Sequence, residues 1–155
     1  MAGARVLVVE DVRHMAHFVK RSLEKAGYEV HAVHHGDEVL PAVEAFAPRA
    51  LVLDLVLPGM SGLDICKALR GDPRHARLAI LIVTGHSFED ASAEEIRAAG
   101  ADCHFTKPVS PVSLRAKLSE MGIHGDGPAA GTPPAEGRVA AARAAPRRLG
   151  MEIGS

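Results

Sequence analysis

An α/β fold, built of five βα units wound on both sides of a parallel five-stranded sheet, follows from three observations on the 155-residue chain. Short apolar runs alternate with stretches of helical periodicity between residues 4 and 121. The runs are uninterrupted and rich in Val, Ile and Leu, as in parallel strands covered on both faces. Strand–helix alternation of this kind closes through right-handed crossovers, and five units are too few for an eight-unit barrel.

The elements follow in order. Val6–Val9 is the first strand. Val12, Met15, Ala16, Val19, Leu23 and Ala26 then step along one face of a helix, and Gly27 stops it. Tyr28–Val33 is a second, more mixed strand. Asp37 is expected to cap a helix running to Phe46, with Pro41 tolerated because it lies near the first turn. Ala50–Leu53 forms the third strand and Ser61–Leu69 the third helix. Ala79–Val83 is the fourth strand, and Phe88–Ala99 the fourth helix, closed by Gly100. Ala101–Thr106 and Pro111–Met121 complete the series. From Gly122 to Ser155, Gly, Pro and Ala make up 19 of 34 residues. That composition buries little surface, so the expectation is a folded domain over 1–121 and a flexible tail over 122–155.

Composition removes several functions. At 47% hydrophobic and 24% charged residues, the chain can build a core and is not a charged disordered polymer. A net charge of −1 and 3% aromatic residues argue against nucleic-acid binding, and the tail is too short for an ordinary DNA-binding output domain. No apolar run approaches the ~20 residues of a membrane span, and no signal peptide is read, so the expected location is cytoplasmic. Cys66 and Cys103 lack metal or redox spacing and read as buried, reduced thiols. Among the nine histidines, His14 and His17 lie i, i+3 and His34 and His35 are adjacent. No Cys or carboxylate completes a metal site with them, so they read as solvated.

The chemistry is positional. Glu10 and Asp11 follow the first strand, Asp54 the third, Thr84 the fourth, and Lys107 and Pro108 the fifth. In an open parallel sheet these groups converge outside the carboxyl ends of the strands, where ligands bind. Three carboxylates held together repel one another unless a cation intervenes, and Mg²⁺ with its preference for hard oxygen ligands suits them. Lys107 and the Thr84 hydroxyl add a point charge and a donor for a tetrahedral anion. The set fits a carboxylate nucleophile that accepts a phosphoryl group.

Asp54-Leu55-Val56-Leu57-Pro58-Gly59-Met60-Ser61-Gly62 strongly resembles the phosphoacceptor segment of response-regulator (CheY-like) receiver domains. Glu10-Asp11 resembles their acidic pair, Thr84 their switch hydroxyl, Phe105 their switch aromatic, and Lys107-Pro108 their lysine–proline turn. The resemblance covers about residues 4–121, with five motifs in order. It implies a flavodoxin-like sandwich with strand order 2-1-3-4-5. It implies that Asp54 takes a phosphoryl group from a phosphohistidine on a sensor histidine kinase or histidine phosphotransfer protein. Mg²⁺ would be held by Asp11 and Asp54 directly, by Glu10 through water and by the Val56 carbonyl. Lys107 would pair with the phosphoryl oxygens, Thr84 would move to bond them, and Phe105 would turn inward. The Lys107–Pro108 bond is expected to be cis, which an X–Pro bond allows cheaply. The fourth helix, fifth strand and fifth helix would then present a switched face to a downstream protein.

The sequence departs from the family at Glu10, where Asp is commoner, and at Gly85, where Ala is usual. Val56 and His86 occupy positions that tune phosphoryl lifetime. Val56 has no polar group to orient a water, which predicts slow self-hydrolysis, while an imidazole at His86 would oppose it. An Asp54-dependent phosphatase is disfavoured because Val56 stands where a carboxylate general acid is needed. A flavin- or nucleotide-binding module is disfavoured because no Gly-rich loop follows the first strand. The alternative is a degenerate receiver that binds partners without phosphorylation.

Overall fold

The computed structural model describes residues 3–85 and 92–125. Five strands form one parallel sheet in the order β2-β1-β3-β4-β5. They are β1 (Arg5–Val9), β2 (Glu29–Val33), β3 (Ala50–Asp54), β4 (Ala79–Thr84) and β5 (Cys103–Thr106). Between and after them run α1 (Arg13–Lys25), α2 (Val39–Phe46), α3 (Gly62–Arg70), α4 (Ala93–Ala98) and α5 (Pro111–Glu120). The fold class and strand order are those expected.

The pleat sorts the strand side chains onto two faces. Leu7, Val9, Leu51, Leu53, Ile80 and Ile82 pack with Val39 and Val43 of α2, Ile65 and Leu69 of α3, and Ile96 of α4. Val6, Val8, Val52 and Leu81 point the other way, onto Val19 and Leu23 of α1 and Leu114 and Leu118 of α5. Every residue of the central strands β3 and β4 is buried. That is why these runs read as continuous rather than alternating hydrophobicity.

The departures from expectation have local causes. Val12 is the N-cap of α1 and 37% exposed, so the buried stripe is Ala16, Val19 and Leu23. The expected Asp37 cap is corrected: Gly36–Glu38 form a 3₁₀ turn, and α2 starts at Val39 with Glu38 as N-cap. A helix capped by Asp37 would need the amide hydrogen of its fifth residue, Pro41, which proline lacks. Starting one residue later puts Pro41 among the positions whose N–H has no partner anyway. The fourth helix is shorter than Phe88–Ala99. Ser92 has extended backbone and caps α4, accepting the Glu95 N–H while Glu95 accepts the Ser92 N–H. Positions 86–91, including part of that expected helix, lie outside the described residues. β5 starts at Cys103 rather than Ala101, because Asp102 is used to hold Arg70 and the Ile80 N–H.

Packing extends past α5. Ile123 is buried, its carbonyl accepts the Tyr28 hydroxyl at 2.7 Å, and the His124 carbonyl accepts the Ala4 N–H at 3.0 Å. A Cβ on Gly125 would meet the Ala26 carbonyl oxygen. Residues 122–125, at the start of the expected tail, therefore belong to the packed body; positions 126–155 lie outside the described residues.

Candidate functional site

The carboxyl ends of β1, β3 and β5 bring Glu10, Asp11, Asp54 and Lys107 together, and Thr84 stands at the same end of the neighbouring β4. Asp54 and Thr84 are the last residues of β3 and β4 themselves, and Glu10 follows β1 directly. All three are nearly inaccessible, at 5%, 1% and 7% exposure, whereas Asp11 is exposed. Glu10, Asp11 and Asp54 each offer a carboxylate oxygen, and these oxygens lie within 4.8 Å of one another.

One cation faces them. Lys107 Nζ donates to Asp54 Oδ2 at 2.8 Å and lies 3.1 Å from Glu10 Oε1. Burial pushes the Glu10 carboxyl above its ordinary value, and the neighbouring Asp54 charge adds to this, against the Val12 N–H and Lys107, which favour ionisation. For Lys107, burial opposes the charge, but the bonds to Asp54 and Glu10 outweigh it and raise its pKa. Three carboxylates against one ammonium leave the cup short of positive charge.

Backbone groups orient the acids. Glu10 Oε2 accepts the Val12 N–H at 3.1 Å, so the side chain that reaches Lys107 also ties down the start of α1. Asp54 Oδ1 accepts the Val56 N–H at 3.4 Å. The Val56 side chain is 54% exposed beside Asp54. Lys107 N–H donates to the Thr84 carbonyl at 2.8 Å, and the Lys107–Pro108 bond is cis. The Thr84 hydroxyl donates to the Gly85 carbonyl at 2.8 Å. Phe105 pairs in register with Val83, is half-buried, and packs against the α1–α5 core. His86 lies outside the described residues.

Two supports were not read from the sequence as such. Gly62, the first residue of α3, lies so close to the acidic strand end that a Cβ there would stand 2.5 Å from the Asp54 carbonyl oxygen and 2.8 Å from Leu55 Cα. Its presence in the motif was visible, but the reason for it is a tertiary contact. His34 Nδ1 lies 3.0 Å from the Glu10 carbonyl oxygen. That oxygen only accepts, so the nitrogen carries the hydrogen. No spacing rule links positions 24 residues apart, and none pointed to this pair.

The donor set fits a hard divalent cation: oxygen atoms only, two of the three carboxylates buried, and too little positive charge to balance them. Asp11, Asp54 and Glu10 are the residues that would hold Mg²⁺. Among the described residues, one other trio brings ligand atoms as close, Glu44, Asp72 and His75 at the opposite end of the sheet. His14 and His17 are exposed, as the solvated reading expects, whereas His34 and His35 are half-buried and bonded to the Glu10 carbonyl and the Asp37 N–H.

A doubly wound α/β sheet of this order, with an acidic cup, a lysine and a buried hydroxyl at the strand ends, defines a flavodoxin-like module whose site lies at the carboxyl edge. The chain belongs to the response regulator receiver domain family, whose model matches residues 6–119, and it is a receiver domain of two-component signalling. It is 35% identical over 119 residues to the phosphate regulon transcriptional regulatory protein PhoB of Rhizobium meliloti, covering 76% of this chain and 51% of that one. It is 37% identical over 121 residues to the response regulator MprA of Mycobacterium tuberculosis, covering 77% and 50%. The chain thus spans about half the length of these curated relatives. Among solved structures, a putative response regulator from Chloroflexus aurantiacus aligns with a TM-score of 0.71 at 30% identity, covering 77% of this chain and 97% of that one. The chemotaxis response regulator CheY4 of Vibrio cholerae aligns with a TM-score of 0.70 at 29% identity, covering 77% and 99%. Receiver domains are phosphoacceptor signalling domains rather than classical enzymes; they bind Mg²⁺ through acidic residues and interact with sensor kinases and downstream targets. Among the described residues no helix is long and apolar enough to cross a membrane.

Proposed function

We propose that this domain is a phosphorylation switch in which Asp54 accepts a phosphoryl group from a phosphohistidine on a sensor histidine kinase or histidine phosphotransfer protein. The observation that carries the reading is the buried Asp54 carboxylate, 2.8 Å from Lys107 and grouped with Glu10 and Asp11. A carboxylate oxygen of Asp54 attacks phosphorus. The new P–O bond forms as the P–N bond to the donor imidazole breaks, and the departing nitrogen keeps the electron pair. Bound Mg²⁺ supplies charge neutralisation for the incoming phosphoryl oxygens. Asp11, Asp54, Glu10 and the Val56 carbonyl are the groups that would hold it.

Lys107 exchanges its bond to Asp54 for one to a phosphoryl oxygen, keeping a cation against the anion throughout. The Thr84 hydroxyl, which donates to the Gly85 carbonyl in this structure, rotates to donate to the phosphoryl group. Phe105 then turns into the space vacated. Both shifts act on β4 and β5, so the face formed by α4, β5 and α5 carries the signal to a downstream protein. The exposed, apolar Val56 beside Asp54 cannot orient a water, which favours a long-lived phosphoryl group; Val56→Asn is expected to shorten that lifetime. Transcriptional regulation is in the name of the Rhizobium meliloti relative. From that relative we carry over the receiver alone, and take the output of this domain to be protein contact rather than nucleic-acid binding.

The test is incubation of the full chain with acetyl phosphate, with and without Mg²⁺, read by intact mass. One phosphate that requires Mg²⁺ and is lost in Asp54→Asn is the expected result. No adduct, together with no transfer from a phosphorylated kinase, would replace this reading with a binding module that works without phosphorylation.

A further inference from the structure

β2 ends the sheet, and among the described residues no strand pairs with its outer edge. Beside that edge runs an open groove of about 560 Å³. One wall is α1, which contributes Arg13, His14, His17 and Lys20. The other is β2 and the residue after it, which contribute His31, Ala32 and His34. Consecutive strand residues point to opposite faces of a sheet. A groove lined by both His31 and Ala32 therefore follows the strand edge itself rather than one face. The contact of the His31 ring with Phe46 of α2, with centroids 5.6 Å apart, places His31 on the side away from α1.

The groove is chemically one-sided. Every lining side chain except Ala32 bears nitrogen, and no carboxylate lines it, on a chain whose net charge is −1. Of the nearby carboxylates, Glu24 offsets one of the two lining cations, Lys20, and Glu38 takes a lining backbone N–H, which leaves Arg13 and the histidine N–H groups to meet an anion. Glu24 accepts from Lys20 at 2.9 Å, Glu38 accepts the His34 N–H at 3.2 Å, and Glu29 lies 3.4 Å from Arg5. Arg13, His14, His17 and His31 are exposed. A transition metal is not the ligand this arrangement favours, since the histidines do not converge as a trio among the described residues. Nucleic acid is not favoured either, because no Phe, Tyr or Trp lines the groove for bases to stack on.

We propose that the outer edge of β2 and the nitrogen-lined groove beside it bind an extended acidic segment of a partner protein, which adds to the sheet as a sixth strand. The free strand edge supplies main-chain hydrogen bonds and the groove supplies charge complementarity for alternate side chains. Both features describe the same occupant: extended, with Asp or Glu at every second position. This surface lies on the far edge of the sheet from α4, β5 and α5, so it admits a partner independently of the switched face.

The test uses the isotope-labelled full chain and a peptide of about eight residues alternating Glu and Val. Titration is followed by amide shifts, against a Lys–Val control and a Glu–Val control N-methylated at every amide, which cannot donate main-chain hydrogen bonds. The expected result is binding of the Glu–Val peptide alone, with shifts confined to β2 and the lining part of α1. His17→Glu and His31→Glu are each expected to weaken it about tenfold. His17→Gln serves as a milder variant, and unchanged phosphorylation by acetyl phosphate verifies the fold of each. Equal binding of the N-methylated peptide or of duplex DNA would overturn the proposal in favour of a general anion surface. Binding that requires Zn²⁺ and disappears with a chelator would overturn it in favour of a histidine metal site. Indifference to both charge reversals, or shifts elsewhere, would also overturn it.

Discussion

The two ends of the sheet each gather three side chains able to hold a metal ion, yet only one end has the makings of a reactive site. At the carboxyl ends of the strands, Glu10 and Asp54 are buried and share one lysine, with the exposed Asp11 close to both. At the amino ends, Glu44, Asp72 and His75 are met by Arg74, which donates to both Glu44 oxygens and both Asp72 oxygens. A planar guanidinium satisfies two carboxylates in water at little cost. A single ammonium shared between buried acids does not, and the deficit leaves room for a second cation. Counting side chains able to ligate a metal would rank the trios equally; burial and the geometry of the counter-charge separate them.

The largest test of this contrast removes packing from the amino end. Truncation after Met121 deletes the buried Ile123 and the acceptor of the Tyr28 hydroxyl, and is expected to cost about 3 kcal/mol in denaturant unfolding. Truncation after Gly125 is expected to leave both stability and phosphorylation unchanged, and a large loss of either would show that later residues dock on the domain. Next, Gly62→Ala drives a Cβ into the backbone of Asp54 and Leu55. We expect a loss of roughly 2 kcal/mol and slower phosphorylation; a variant unaffected in both would mean that the α3 start is not what holds Asp54.

Lys107→Ala leaves Glu10 and Asp54 without their shared cation. It is expected to lower stability by about 2 kcal/mol at pH 8, with Mg²⁺ restoring part of the melting temperature. The matching Arg74→Ala change, at an exposed pair, is expected to have a much smaller effect and no response to Mg²⁺. The smallest effect is a pH dependence. The Arg74 side chain, and then its N–H, hold the Asp72 carboxyl down from 3.8 to about 2. A depressed carboxyl gives stability that is present above its ordinary value and fades as pH falls through the lower one. The difference between the native chain and Asp72→Asn should therefore narrow between pH 4 and 2, as read by thermal melts; a constant difference would mean that the pair contributes through packing alone.

Much of this was legible because the core follows simple periodicity. The runs at Val6–Val9, Ala50–Leu53 and Ala79–Val83 are strands, and the polar residues after them mark the site. Their boundaries shift by a residue because Asp54 and Thr84 keep strand geometry while presenting polar groups. The late start of α4 was written in Ser92-Ala93-Glu94-Glu95, a capping box that helical periodicity alone overlooks. The Gly36–Glu38 turn was less accessible: its cap is His35 Nδ1, which accepts the Asp37 N–H, and histidine carries little capping signal. The contacts of Gly62 with Asp54 and of His34 with Glu10 arise only when distant segments meet, so no local pattern announces them.

The clasp of Ala4 by His124 has a practical meaning for anyone wishing to watch this molecule work. Ala4 and Glu10 bracket β1, so the chain at Gly125 sits about 20 Å from the acidic cup, a strand length away. A dye on a cysteine in place of the exposed His124, next to it, would be anchored by the packing of Ile123, yet too far away to obstruct a kinase approaching Asp54. Paired with a second dye on the α4–α5 side, it would serve as a fixed reference against which rearrangement of the signalling face is measured in real time.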